Sequence, residues 1–501
     1  MRKVVVLFLD GGTWDIIDPL LKVGKLPNLD KLIKKGTRAT IKSTIPPLTS
    51  FVWPSILTGK GAGKHGVYSF YSLDEKNNLK LNQEYNSSNK YLWDFLTEKN
   101  IRSIVFDIPK TFPPKKMDGI MISYFPPSCE SDFTFPSSYK TKLLKKFPHY
   151  NLKVRSRAGE DEGSKNKFFK EVCDFLKLRF EVIDDLIKNE QWDFFITDIM
   201  ATDIAQHWFW KNIDKSHPYY SKGPSSDYIN EIYQLIDSFI GRLREELPKN
   251  TLFIVASDHG FGKYIKDINL NKWLKDQGYL VFKKNTSFRK IILNKIGLTP
   301  SKISQIILNL RLGFLLKYLK RKTMKNMIHS LSLSYNNIDM SKTIAYSYGY
   351  CGPIYLNKKL LGSKYEEKRL EIIERLKLIK DPIYGKILIN KIWKKEELYP
   401  GPKNEHLPDI ILNMQDFSYG CSSSFAFKSD KLFSKPITFK SGDHKVEGFF
   451  IINGEGVKKG GNYDLDVVDF LPTLLYMYDC DIPKDLDGKP RLEFFEKNFK
   501  L

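Results

Sequence analysis

The chain has 501 residues and no run of about 18 or more consecutive apolar ones, so a membrane-spanning helix is not expected. Its five cysteines, Cys129, Cys173, Cys351, Cys421 and Cys480, are scattered and never form a C-x-x-C pair. A disulfide framework and a cysteine-based zinc site are thereby excluded, and any metal must be held by histidine and carboxylate. The chain shows no internal repeat, no low-complexity linker and no base-reading or RNA-binding module, which argues against a nucleic-acid partner. The opening "MRKVVVLFLDGG" has only six apolar residues before Asp10, too few for a secretory leader, so the cytoplasm is the expected compartment. Acid is missing most conspicuously from residues 281–330. That stretch holds twelve Lys and Arg and no Asp or Glu, over half of the net charge of +22.

What is present is a rhythm of buried strands and amphipathic helices. Four short apolar runs end in an acid: "KVVVLFLD" at Asp10, "RSIVFD" at Asp107, "WDFFITD" at Asp198 and "TLFIVASD" at Asp258. Between them, residues 225–247 repeat apolar side chains at helical spacing. Strands alternating with helices predict an α/β sandwich with a mostly parallel sheet. In such sheets functional loops lie beyond the carboxyl ends of the strands, where Asp10 and Asp258 fall. Residues 282–340 break the rhythm and read as a basic helical insertion. The expected division is 1–281 for the first part of the core, 282–340 for the insertion, 341–400 for a small α/β accessory segment and 401–501 for the return of the core.

Three of the eight histidines stand beside carboxylates. "TDIAQHWFW" places Asp203 and His207 four apart, on one face of a helix. "SDHG" sets Asp258 and His259 just past a strand, and "SGDHKVEG" puts His444 in a glycine-flanked turn. With Asp10 these make six O/N ligands, enough for two ions that each accept mixed His and carboxylate donors. Two such ions, roughly 3.5–4 Å apart, can clamp the attacking and leaving oxygens of a phosphoryl displacement. "IPPLTSFVWPSILTGKGAGKHGV" (45–67) offers Thr49 and Ser50 as hydroxyls at the start of a short helix, where Thr49 could equally be an N-cap. Asp198 and His65 read as supports behind the site or as plain structural residues.

Together these motifs resemble the alkaline phosphatase superfamily and, within it, the type I phosphodiesterase/nucleotide pyrophosphatase group. "FLDGGTWD" resembles its opening Asp-Gly motif, and 45–67 its nucleophile segment. "TDIAQHWFW", "SDHGF" and "SGDH" resemble its later metal motifs, and "VVDFLPTLLYMYDCDIPKDLDGKP" its closing helix. The resemblance implies a three-layer α/β sandwich and two divalent ions, zinc first, with manganese or magnesium as alternatives. One ion would be held by Asp203, His207 and His444. The other would be held by Asp10, Asp258, His259 and the Thr49 hydroxyl, which attacks phosphorus and forms a covalent phosphothreonine-type intermediate. Val52 stands where nucleotide pyrophosphatases carry asparagine.

The expected activity is hydrolysis of a phosphodiester or pyrophosphate, in a small-molecule or lipid-linked substrate. A phosphomonoesterase or phosphomutase, and a non-catalytic phosphate-binding protein, are the alternatives. Ser50, Val52 and Trp53 are expected to meet the substrate, with Phe51, Val52 and Trp53 as an apolar wall for a second ester group. The cations of 283–325 suit contact with an anionic membrane surface. The oligomeric state is left open.

Overall fold

The computed structural model describes residues 2–499 apart from 69–70, 74–78, 82–88, 125–127, 129, 155, 285, 287–334, 350, 422–430, 437–439 and 498. A nine-stranded sheet runs through the larger part of the molecule. Its spatial order is Asn462–Asp466, Gly36–Lys42, Glu447–Asn453, Leu252–Ala256, Val4–Leu9, Phe194–Ile199, Ser103–Phe106, Gly119–Ile122 and Thr134–Phe135. Val4–Leu9 is parallel to both neighbours, pairing Val4 with Phe194 and with Leu252. Only Glu447–Asn453 and the edge strand Thr134–Phe135 run against their neighbours. The fold is thus a mixed α/β sandwich with a largely parallel central sheet.

The central strand shows why the fold has three layers. All six of its residues are fully buried, because a parallel strand in mid-sheet is covered on both faces. Val5, Leu7 and Leu9 pack with the helices Trp14–Lys22, Pro27–Lys34, Glu162–Asn189 and Tyr228–Glu246. Val4, Val6 and Phe8 face the other way, onto the helices Thr49–Thr58, Leu92–Glu98 and Phe470–Met477. Each such side chain contributes about 1.5–3 kcal/mol through burial.

A second core lies around a four-stranded antiparallel sheet in the order Ala345–Ser347, Ile354–Leu356, Ile410–Met414, Ile389–Lys394. The helix Tyr365–Leu376 covers it with Ile372, Ile373 and Leu376. Its Ile410–Met414 strand lies beyond residue 400, so this sheet uses chain on both sides of that expected boundary. Most of the expected basic insertion, 285 and 287–334, lies outside the described residues. No helix among the described residues is long and apolar enough to cross a membrane.

Candidate active site

The carboxyl ends of three neighbouring strands bring the predicted ligands together. Asp10 follows Val4–Leu9, Asp258 and His259 follow Leu252–Ala256, and Asp203 begins the helix Ala201–Ile213 directly after Phe194–Ile199. His207 lies one helical turn beyond Asp203 on the same face. His444 arrives from far along the chain. Its strand, Gly442–Lys445, pairs antiparallel with Gly260–Lys263 and sets His444 opposite Phe261. The Asp10 turn requires glycine next to it: Gly11 has φ +66°, and a Cβ there would stand 2.7 Å from the Phe261 ring.

Two groups of ligand atoms result, Asp203 with His207 and His444, and Asp10 with Asp203 and His259. In the first, His444 Nε2 lies 3.1 Å from Asp203 Oδ1 and 3.2 Å from His207 Nε2. His207 Nε2 is 3.3 Å from the same Asp203 oxygen. In the second, His259 Nε2 lies 3.3 Å from Asp10 Oδ1, 3.5 Å from Asp258 Oδ2 and 3.2 Å from Thr49 Oγ1. The His259 and His444 rings stack at 3.7 Å. Asp203, assigned by the sequence to one ion, belongs to both groups, while Asp258 stands at the margin of the second.

Every imidazole is fixed from behind. His207 Nδ1 meets Gly442 O at 2.8 Å, His259 Nδ1 meets Gly260 O at 3.0 Å, and His444 Nδ1 meets Pro47 O at 2.8 Å. A carbonyl only accepts, so each Nδ1 carries a hydrogen and each Nε2 is the ring atom aimed into the site, where in His207 and His444 it donates to Asp203 when protonated and offers a lone pair to an ion when not.

The carboxylates are short of positive charge. Both oxygens of Asp10 and of Asp198, and Oδ2 of Asp258, are buried without a hydrogen-bond donor. Burial pushes the Asp10 carboxyl well above the ordinary range, and the charges of Asp258, Asp198 and Asp203 push it further. Burial likewise raises Asp198, with Asp258 adding to it, and lifts Asp258 to about 7. Burial also works against the Asp203 carboxylate, but His207 and His444 reverse the effect and hold it well below its usual range. Burial, then the charge of His444, keeps His259 neutral. Buried acceptors facing one another without donors are what a bound cation resolves, so the residues fit divalent ions.

Thr49 opens the helix Thr49–Thr58, but the cap is Leu48 and no side chain caps the end. The expectation that Thr49 sits at the cap position is therefore corrected by one residue: Leu48 O accepts the first helical bonds, from Phe51 and Val52. That frees the Thr49 hydroxyl to face His259. It is partly exposed, whereas Ser50 is buried. The expected substrate contacts of Val52 and Trp53 are overturned. Both are completely buried in the core, Trp53 edge-on to Phe8 at 4.9 Å. Phe51 packs with Tyr68 and Tyr399, so the three form no wall for an ester group. His65 lies under this helix: Val67 N–H donates to its Nδ1 at 3.1 Å, leaving Nε2–H for Ser55 Oγ at 3.0 Å.

Two supports escaped the sequence reading. Thr202 Oγ1 donates to Asp10 O at 2.7 Å and Gln206 Nε2 to Gly11 O at 2.9 Å, holding the Asp10 turn against the ligand helix. Both lie one position before a ligand, and that shared period was the available signal. Asp443, with Oδ1 3.9 Å from His444 Nε2, stands at the edge of the first group.

A sheet of alkaline phosphatase type, with two His/carboxylate groups and a hydroxyl gathered at its carboxyl edge, defines the class. The sequence model described as type I phosphodiesterase / nucleotide pyrophosphatase matches residues 4–424, and the chain belongs to that family. No curated protein matches the chain. Among solved structures, murine ectonucleotide pyrophosphatase / phosphodiesterase 5 in complex with AMP is similar at 14% identity and TM-score 0.55, over 99% of this chain and 100% of its own. Phosphonoacetate hydrolase from Sinorhizobium meliloti 1021, in complex with phosphonoformate, is similar at 14% identity and TM-score 0.54, over 94% of both chains. The alkaline phosphatase PafA is similar at 14% identity and TM-score 0.53, over 99% of both. These likenesses establish the shared fold. With the family and the two ligand groups, they make the chain a metal-dependent phosphoesterase of the alkaline phosphatase superfamily.

Proposed function

We propose that the protein hydrolyses phosphodiesters or pyrophosphates of small molecules, with Thr49 as nucleophile beside two zinc ions. Asp203, His207 and His444 would hold one ion, and Asp10, Asp258 and His259 the other, next to the Thr49 hydroxyl. The observation that carries this reading is the spacing of the ligand atoms, 3.1–3.5 Å in the six contacts around His207, His259 and His444, with Thr49 Oγ1 among them. A tetrahedral ion with bonds of about 2.0–2.1 Å separates its ligands by about 3.3 Å. Octahedral magnesium, with similar bonds, separates them by about 3.0 Å.

The ions would supply positive charge that lowers the pKa of the hydroxyl and offsets the charge on the phosphoryl oxygens. Thr49 Oγ1, its proton released to solvent, then attacks phosphorus, a P–Oγ1 bond forms, and the bond to the leaving oxygen breaks with its electron pair, that oxygen taking a proton from solvent. The backbone N–H groups of Thr49 and Ser50 precede the first helical bond and would be available to a phosphoryl oxygen. Water then attacks the phosphothreonine, returning the hydroxyl and releasing the second product. A diester is favoured over a monoester dianion because the segment around Thr49, residues 45–59, carries no Lys or Arg to meet an extra phosphate charge.

The test uses bis-(p-nitrophenyl) phosphate and p-nitrophenyl phosphate on wild type and Thr49→Ala, with and without chelator. The diester is expected to be the better substrate. Thr49→Ala is expected to lose roughly 10³-fold or more in kcat. Activity that survives in Thr49→Ala removes the nucleophile assignment. Preference for the monoester reverses the substrate class.

A further inference from the structure

The surface of the accessory core carries a feature that the reaction does not use. Ten large apolar side chains are exposed among the described residues, and four of them, Leu378, Ile383, Tyr384 and Ile387, fall within ten consecutive positions. Leu378 is 76% exposed, Ile387 59% and Tyr384 51%. They sit on a tight turn that is held rigidly. Lys380 bridges Ile387 antiparallel, and Asp381 N–H donates to Lys386 O at 2.7 Å. The buried Asp381 carboxylate accepts the N–H groups of Ile383 and Tyr384 at 2.6 and 3.0 Å. The turn is built to present aliphatic and phenolic side chains outward.

Its surroundings are cationic. From Arg375 to Lys395 the chain has seven Lys or Arg and one acid, the buried Asp381; Arg375, Lys377, Lys394 and Lys395 pair with Glu371, Glu374, Glu366 and Asp409, while Lys380 and Lys386 on the turn itself are exposed. Beside the turn opens a cleft of about 520 Å³ with Trp273, Ile379 and Leu432 among its apolar lining and Arg375 and Lys380 among its polar lining. An apolar tip ringed by lysine stems and headed by tyrosine matches the layered chemistry of a lipid headgroup region. A net charge of +22 selects an anionic one.

We propose that residues 378–387 form a membrane-docking turn, which enters the headgroup layer of an anionic phospholipid bilayer while Lys380 and Lys386 meet lipid phosphates. This surface is separate from the Thr49 site, so failure of either reading leaves the other standing. The test is co-sedimentation of the full chain with vesicles of phosphatidylcholine alone or mixed with phosphatidylserine. Wild type is expected to bind the mixed vesicles and not the neutral ones. The double variants Ile383→Ser/Ile387→Ser and Lys380→Glu/Lys386→Glu should each weaken binding roughly tenfold or more, with diesterase activity on a soluble substrate unchanged. Hydrogen exchange of 378–387 should slow on the mixed vesicles. Wild-type binding by both variants overturns the proposal, as does unslowed exchange, or binding lost only in Lys320→Glu/Arg321→Glu/Lys322→Glu. A concentration-dependent dimer that Ile383→Ser/Ile387→Ser disperses also overturns it, by assigning the face to a second copy of the chain.

Discussion

The two ligand groups share Asp203 and little else. In the first, one carboxylate stands between two imidazoles, and attraction across 3.1–3.3 Å keeps it ionised. In the second, Asp10 and Asp258 crowd a neutral His259 with Asp198 behind them, and only the N–H groups of Gly11 and His259 on Asp258 and the more distant charge of His444 work against the negative charge. The first group is close to stable as a protein cluster. The second is organised around a charge the polypeptide does not provide. Evolution of a cation site can thus place order and deficit side by side, and the deficit marks where the ion matters most for folding.

Substitutions that remove one ligand from each group should separate them most strongly. Asp10→Asn and His207→Asn are both expected to lower kcat roughly 10²-fold or more, with metal content falling from about two ions per chain toward one. Their effects on the chelated protein should have opposite signs. Asp10→Asn relieves like-charge crowding and should raise stability by about 1–3 kcal/mol. His207→Asn strips Asp203 of a partner and should lower stability by about 1–3 kcal/mol. Urea unfolding in chelator measures both, and equal signs would break the contrast.

A pH series sharpens it further. Asp258 has a folded pKa of about 7 against an ordinary 3.8, so the folded chain binds more protons between those values. Stability of the metal-free protein should therefore fall as pH rises through that window, by up to about 1.4 kcal/mol per pH unit from this residue. His65 works the other way. Burial, then the charge of Lys403, holds it at about 3 instead of 6.5, so its contribution is lost as pH drops below 6.5. The difference curve between wild type and Asp258→Asn isolates the carboxylate, and a flat difference would remove the charge deficit from the account.

The smallest effect belongs to the support of the second group. Thr202→Val removes the 2.7 Å bond to Asp10 O inside a packed interior and should cost about 1 kcal/mol. Metal affinity should fall more for the second ion than for the first, measured by equilibrium dialysis.

Much of this site could be read from the sequence because it depends on local rules. A strand that ends in an acid puts that acid at the sheet edge, and i, i+4 spacing puts Asp203 and His207 on one face. The failures came where long-range packing decides. Nothing in "TSFVWPSIL" says which helix face meets the core, and Val52 and Trp53 turned inward because Phe8 and the closing helix lie there. The antiparallel Glu447–Asn453, wedged between two strands that are parallel to each other, is likewise a property of distant pairing. The backbone carbonyls of Pro47, Gly260 and Gly442 leave no trace in residue identity at all.

One of those carbonyls sets a schedule. Pro47 O, two residues before Thr49, holds His444 across 397 positions of chain. A ribosome making this protein must therefore pass Lys445, and the strand Gly442–Lys445 must clear the exit tunnel, before the first ligand group can close. Until then the first group lacks its third member, and Asp203 and His207 wait for an imidazole encoded more than two hundred positions downstream.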